Sequence, residues 1–304
     1  MAHPTVCQLN YRCAICGGDV VKVRLTHTEP DRFEKHVGIP GSDYSREWIE
    51  CGFCGCCTNV MQPSNSALLA ELADGYYEVD LGSSTIADKF SIVMALPEHL
   101  SDNAARVQRV SSRLKSWCAA LGAGKESVRI LDIGAGTGVF LAKLLQQSGS
   151  ELLPFEAVAL EPDPIAAEHL RTIGGFEVIE SCFEHFKVGA GYNLVTLNKV
   201  IEHVPDPASL LAQISSVCDS DTGLVYVEVP DTETIDFRSP SDNILGSLHH
   251  HLYSPTGLSI LFDKCGLKVL DIARVAEPSG KITVYGFACP ASAFINYVAT
   301  GGDI

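Results

Sequence analysis

Residues 128–140, VRILDIGAGTGVF, constrain this chain more than any other stretch. The stretch begins as an apolar run, Val128, Ile130, Leu131 and Ile133, rich in β-branched side chains. Such a run suits a strand buried on both faces of a parallel sheet. Asp132 sits near its end, and Gly134, Gly136 and Gly138 follow. Val139, Phe140, Leu141, Leu144 and Leu145 then fall at helical spacing. The order is strand, glycine turn, helix. Glycine has no Cβ and tolerates φ > 0, so a ligand can approach the backbone there. A dinucleotide fingerprint starting at Gly134 would need a small residue where Val139 stands. An acid before the glycines would also repel a pyrophosphate, whereas it suits a ligand with a positive end. The alternative is a purely structural turn.

The rest of the chain alternates strand and helix, which argues for a mostly parallel sheet with helices on both faces. Residues 155–160, FEAVAL, read as a second strand ending at Glu161, Pro162 and Asp163. Ligands of open α/β sheets lie beyond the carboxyl ends of the strands. Glu161 is placed there to accept both hydroxyls of a ribose. It could instead favour a helix dipole, but Asp163 can fill that role. Residues 165–173 and 210–218 read as helices, and 176–179, 192–197 and 223–229 as strands. Residues 232–247 have no period and read as a long functional loop. A helix capped by Ser254 or Thr256 runs to Lys264. Strands at 267–272 and 281–287 follow, the last as an antiparallel edge hairpin, and 290–304 form a weakly specified tail.

At Asp132 and its glycines, LDIGAGTG resembles the first motif of the class I S-adenosylmethionine (SAM)-dependent methyltransferases. SAM carries an ammonium and a sulfonium, the positive end the acid asks for. The resemblance implies an α/β fold with a seven-stranded Rossmann-like sheet. Asp132, Gly134, Ala135, Gly136 and Gly138 would cradle the cofactor, with Glu161 and Pro162 at its ribose. Cys182 and Phe183 would lie at the adenine, with Glu180 and Glu184 bracketing the spot. The segment from Asn198 to Pro207, NKVIEHVPDP, is similar to the segment after the fourth strand in many of these enzymes. It implies that Asn198 and Val200 lie beside the methionine half and that His203 can face the acceptor. A structural turn before Pro205 is the alternative for Glu202 and His203.

Residues 1–62 have a different character. Cys13-Ala-Ile-Cys16-Gly and Cys51-Gly-Phe-Cys54-Gly are two CxxC pairs, each able to chelate one edge of a tetrahedral zinc ion. The spacing predicts a zinc-ribbon-like module with a structural Zn²⁺. A strand around Val20 to Leu25, a loop from His36 to Gly41 and a returning strand at 46–51 would join the pairs. Cys54 and Cys57 also form a CxxC, and Cys7 and Cys56 are nearby. The set 13, 16, 51 and 54 is preferred because a glycine follows each pair. Four unmetallated thiols are the alternative. Residues 63–125 then read as a linker and helical bridge, with helices near 66–73, 86–96 and 102–121 and with Tyr76 and Tyr77 able to line a pocket. The methyltransferase core is expected at 126–289, and the tail at 290–304.

The full pattern resembles the SAM-dependent sugar C-methyltransferases of deoxysugar pathways: a four-cysteine knuckle, the GYYE segment, a SAM core, and histidines before a helix. Ser279-Gly280-Lys281 falls where that family has a comparable turn. Two departures stand out. Leu248-His249-His250-His251 replaces a Tyr-His-Glu-His cluster, and the further C-terminal domain of that family has no counterpart here. The expected reaction is direct displacement at the SAM methyl carbon, onto O, N or C of a small polar acceptor such as a sugar, a nucleotide-sugar or a secondary-metabolite intermediate. His251, His249 and His203 are the candidate bases, with Tyr253 beside them. A solvated histidine loop is the alternative.

Charge narrows the competing functions. The chain has 37 acidic against 22 basic residues, net −15. That argues against nucleic-acid or anionic-membrane partners and disfavours a zinc-finger RNA methyltransferase, because the cysteine module is not basic either. A non-catalytic SAM-binding protein is the third reading. The chain has no long apolar run and no secretory leader pattern, and 12 cysteines fit metal ligands and buried thiols in a reducing compartment, so the cytoplasm is expected.

Overall fold

The computed structural model describes residues 11–19, 21–70, 72, 76–122, 127–147, 154–183, 189 and 191–301. Cys7 and Glu184 lie outside them. The chain opens with an antiparallel sheet. Strand β1 (Val21–His27) pairs with β2 (Arg46–Cys51), with helix α1 (Arg32–His36) between them. Asp31 caps α1 and Glu34 completes the capping box, which satisfies main-chain donors that a short helix leaves unpaired. Strand β3 (Cys57–Val60) adds to β2.

Helices α2 (Pro63–Ala70), α3 (Tyr76–Leu81), α4 (Ile86–Met94) and α5 (Asp102–Leu121) bridge to the core. Pro63 begins a helix rather than a linker, since proline fits a first turn whose N–H would go unused. Ser101 caps α5, and Gly122 ends it in the left-handed conformation. Val107, Val110, Leu114 and Trp117 are the buried face of α5.

The core follows in chain order as β4 (Val128–Ile133), α6 (Val139–Gln147), β5 (Phe155–Glu161), α7 (Pro164–Ile173), β6 (Glu177–Glu180), β7 (Leu194–Asn198), α8 (Pro207–Val217), β8 (Leu224–Pro230), α9 (Thr234–Phe237), β9 (His251–Leu252), α10 (Pro255–Lys264), β10 (Leu267–Ala276), β11 (Ile282–Pro290) and α11 (Ala291–Ala299). Seven of these strands form one sheet in the order β10-β11-β8-β7-β4-β5-β6. β4 to β8 run parallel, and β11 is antiparallel to both neighbours. This is the expected seven-stranded Rossmann-like sheet. Chain direction through the sheet reverses between β4 and β7, and that switch point is where open α/β sheets bind ligands.

Four expectations are corrected. β11 lies inside the sheet and β10 is the edge, because β11 pairs with β8 as well. The loop at 232–247 contains α9 and a 3-10 turn, Asn243–Leu245. The tail carries α11, whose Tyr297 stacks on Trp117 at 4.5 Å between ring centroids. Most consequential, the histidine segment runs into a strand at His251. β9 pairs with β3 and becomes the fourth strand of the N-terminal sheet. One continuous core also joins Ile15, Cys51 and Cys54 to Tyr253, Leu258 and Phe262. The boundary drawn at residue 62 is therefore crossed by both a sheet and a core.

Candidate active site

A cavity of about 1180 Å³ opens at the carboxyl ends of β4, β5 and β7. Ligand pockets usually span about 300–1,000 Å³, so the cavity is at the large end for a small-molecule site. Its donor side is the glycine turn. Gly134, Gly136 and Gly138 all have positive φ, at 65°, 56° and 77°. A Cβ would meet Val200 Cγ2 at 2.7 Å from Gly134, and Leu170 Cδ2 at 2.6 Å from Gly138. Both the backbone shape and the packing therefore require glycine.

Asp132, at the end of β4, is 1% exposed. Its Oδ1 accepts from Thr196 Oγ1 at 2.6 Å and Asn198 Nδ2 at 3.0 Å. Burial nevertheless outweighs these donors and pushes its carboxyl up to about 7. Asn198 spends its amide on Asp132, which leaves its buried Oδ1 without a partner. Glu161, at the end of β5, accepts from Gly136 N at 2.7 Å and Asp163 N at 3.0 Å, and burial raises it too to about 7. Asp163 caps α7, accepting from Ile165 N and Ala166 N, and also accepts from Tyr77 N at 3.1 Å. The acid that could have been a mere dipole partner is thus Asp163, and Glu161 clamps the glycine turn. Tyr77 lies over that turn, with its hydroxyl 2.9 Å from where a Gly136 Cβ would stand. Ala135, Pro162, Cys182, Phe183 and Val200 all line the same cavity.

The acceptor side is built differently. After Asn198, Lys199 takes φ 62°, a left-handed conformation costly for a side-chain-bearing residue. The 3-10 turn Ile201–His203 then presents Glu202 and His203 to the cavity. His249 and His250 line it from the segment before β9, and His250 N donates to Glu202 O at 2.6 Å. The rings of His203 and His249 meet edge to face at 4.4 Å. Burial holds His203 down at about 4 and keeps His249 well below the usual imidazole range, so both rings are neutral.

His251 and Tyr253 are corrections, since neither lines the cavity. Pairing of β9 with β3 turns His251 inward, with Nδ1 3.3 Å from Thr58 Oγ1 and Nε2 3.2 Å from Pro205 O. The Tyr253 hydroxyl, fully buried, donates to Ile201 O at 3.0 Å. Both support the turn that carries Glu202 and His203 rather than touch an acceptor.

A second buried network was missed from the sequence. Glu228 on β8 is bound by Arg106 Nε at 3.0 Å, Arg109 at 3.1 Å and the Tyr226 hydroxyl at 2.7 Å. Burial alone would raise its carboxyl, but the charges of Arg106 and Lys199 prevail and hold it far below the ordinary range. The signal was present: an acid inside the apolar run GLVYVEV cannot be buried without a cation.

The cysteine cluster is compact. Sγ atoms of Cys13 and Cys54 are 3.7 Å apart, and those of Cys16 and Cys51 are 3.4 Å apart. Four thiolates around zinc, at about 2.3 Å each, would be about 3.8 Å apart. Gly17 N donates to Cys13 O and Gly55 N to Cys51 O, which closes a knuckle turn on each pair. Cys56 instead faces Ser254, and Cys57 is buried against Trp48 and Leu252. The preferred four cysteines are thus the ones the fold brings together, and Cys54 does not pair with Cys57.

Comparison with known proteins fits this geometry. A family model described as a methyltransferase domain matches residues 104–272. No curated protein matches the chain. Among solved structures, it is similar to the Burkholderia thailandensis 1,6-didemethyltoxoflavin-N1-methyltransferase with bound 1,6-didemethyltoxoflavin and S-adenosylhomocysteine. The TM-score is 0.51 at 16% identity, over 81% of this chain and 95% of that one. It is also similar to magnesium protoporphyrin IX methyltransferase from Synechocystis PCC 6803 with bound S-adenosylhomocysteine. There the TM-score is 0.50 at 10% identity, over 74% and 100% of the respective chains. At these identities the likeness is one of fold. No described helix is long and apolar enough to cross a membrane.

Proposed function

Because the chain belongs to the methyltransferase-domain family, we propose that it transfers a methyl group from SAM to a small polar molecule, a sugar or a secondary-metabolite intermediate. The observation that carries this reading is the set of acceptors around the glycine turn: the carboxyls of Asp132 and Glu161 and the unpartnered Oδ1 of Asn198. Glu161 would take the ribose hydroxyls, while Asp132 and Asn198 would hold the cationic methionine end. Cys182 and Phe183 would flank the adenine. When bound, SAM supplies a methyl carbon already activated by its sulfonium. The protein's contribution is to align the two ligands and exclude water. An acceptor hydroxyl also has to lose a proton, and the rings of His203, His249 and His250 line the cavity for that role. The small acceptor class is supported by the cavity size. It also agrees with the two fold relatives, whose names specify small-molecule methyltransferases.

The four cysteines would hold a structural zinc. They form a closed four-thiolate set, which leaves no coordination position for catalysis. Its work would be to fix a sheet whose last strand comes from the acceptor side.

Calorimetry tests the donor assignment. Asp132→Ala and Glu161→Ala should each weaken SAM binding by roughly tenfold or more, the size of a lost charged hydrogen bond. Unchanged affinity in both variants would overturn the assignment. The acceptor can be sought by mass spectrometry, as a one-methyl gain in extracts of the source organism supplied with labelled SAM.

A further inference from the structure

We propose that Glu202, His203 and His249 form a second metal centre, a site for a divalent transition-metal cation that binds the oxygen of a hydroxylated acceptor. The inference rests on the methyltransferase reading and narrows it to transfer onto oxygen. One ligand atom from each of the three residues lies within 4.8 Å of the others. Glu202 is 1% exposed, and neither of its carboxylate oxygens has a hydrogen-bond partner. A buried carboxylate left bare on both oxygens is costly unless something charged binds it. The charge of Lys199 reaches Glu202 but makes no direct contact with it: the ammonium donates to Thr283 Oγ1 at 2.9 Å and lies 3.5 Å from Glu228.

The two histidines are prepared in the same way. His203 Nδ1 is 3.1 Å from Leu248 O, and His249 Nδ1 is 2.7 Å from Ile244 O. A carbonyl can only accept, so each Nδ1 carries a proton, and Nε2 is the ring atom left to face a cation. Metal-binding histidines typically donate their other ring N–H to a carbonyl or carboxylate in this way. Two imidazole nitrogens and one carboxylate suit a divalent first-row cation. Three protein ligands also leave coordination positions open, unlike the four-cysteine set. The open positions would face the cavity that the donor shares. A hydroxyl oxygen on the cation becomes more acidic. On transfer the oxygen would bond to the methyl carbon as the C–S bond breaks with its electron pair on sulfur, and the acceptor's proton would leave to His250, which lines the same cavity, or to water.

The test uses the full chain with its cysteine cluster intact and Mn²⁺ alone as the probe, followed by electron paramagnetic resonance. The wild type should bind one Mn²⁺ that Glu202→Gln and His249→Ala each weaken by at least tenfold. S-adenosylhomocysteine affinity, measured on the same samples, should stay within about threefold because the donor side is untouched. Mn²⁺ binding that is absent, or equal in wild type and both variants, would overturn the inference. In that case the rings of His203 and His249 return to the role of bases, and the methyltransferase reading stands. Failure of S-adenosylhomocysteine to bind the wild type would instead sink the reading beneath it.

Discussion

The two sides of the cavity are made in opposite ways. The donor side has a local centre: Asp132, the glycines and the first turn of α6 are consecutive in the chain, and Glu161 and Asn198 join them from the ends of the neighbouring strands. The acceptor side is assembled. Glu202 and His203 come just after β7, while His249 and His250 arrive nearly fifty residues later, held by β9 against an N-terminal sheet tied off by the cysteine cluster. Asn59 binds this joint, with its N donating to His250 O and its Nδ2 to His249 O, both at 2.9 Å. The contrast teaches that donor binding can be kept by one turn, whereas the acceptor wall depends on a remote module staying folded.

The largest expected effect breaks that dependence. Cys51→Ala should lower unfolding stability by more than about 4 kcal/mol, the range reached when a structural metal is lost. Because β2 and β3 carry β9, turnover should fall further than S-adenosylhomocysteine affinity at low temperature. Equal losses of both, measured by calorimetry and methyl transfer, would show that the two sides are not separable.

The next effect lies on the donor side and depends on pH. Asp132 is held up at about 7 by burial, while its ordinary value is 3.8. Below about pH 4 both folded and unfolded forms are protonated, and burial carries no charge penalty. Between about 4 and 7 the unfolded chain loses the proton first, so this group's contribution to stability falls as pH rises, and above 7 the penalty is complete. At about 1.4 kcal/mol per pH unit it amounts to roughly 4 kcal/mol. Asp132→Asn keeps the Oδ1 acceptor for Thr196 and Asn198. The ligand-free variant should therefore be more stable than wild type at pH 8, with the gap closing toward pH 4, while it binds SAM more weakly. A gap in thermal stability that ignores pH would remove the idea that the donor side is held ready at a cost.

The smallest effect sharpens the line between wall and support. His251→Ala removes a ring with partners at both nitrogens, Thr58 and Pro205. It should cost about 1–2 kcal/mol of stability and leave SAM affinity within about twofold. Loss of turnover without loss of stability would return His251 to the acceptor.

Chain distance decided how much was legible. The glycine turn, Glu161 and the seven-strand alternation were readable because strand, turn and helix periods are printed in consecutive residues, whereas Asn198 came only from the resemblance of its segment. The Asp163 cap was readable for the same reason, while the choice of Ser254 over Thr256 was settled only by the fold. Which histidine faces the cavity was not. Three adjacent histidines carry no period, and a two-residue strand such as β9 has no sequence signature of its own. Its pairing with β3 decides that His251 points inward. Glu202 was likewise ambiguous, since a bare buried carboxylate is visible only once every neighbour is in place. The sequence by itself determined the donor turn and the run of parallel strands and narrowed the cysteines to a preferred four, because short-range backbone preference and ligand spacing act over consecutive residues. Only the tertiary structure decided the acceptor wall, because strand pairing and burial between distant segments set its side chains.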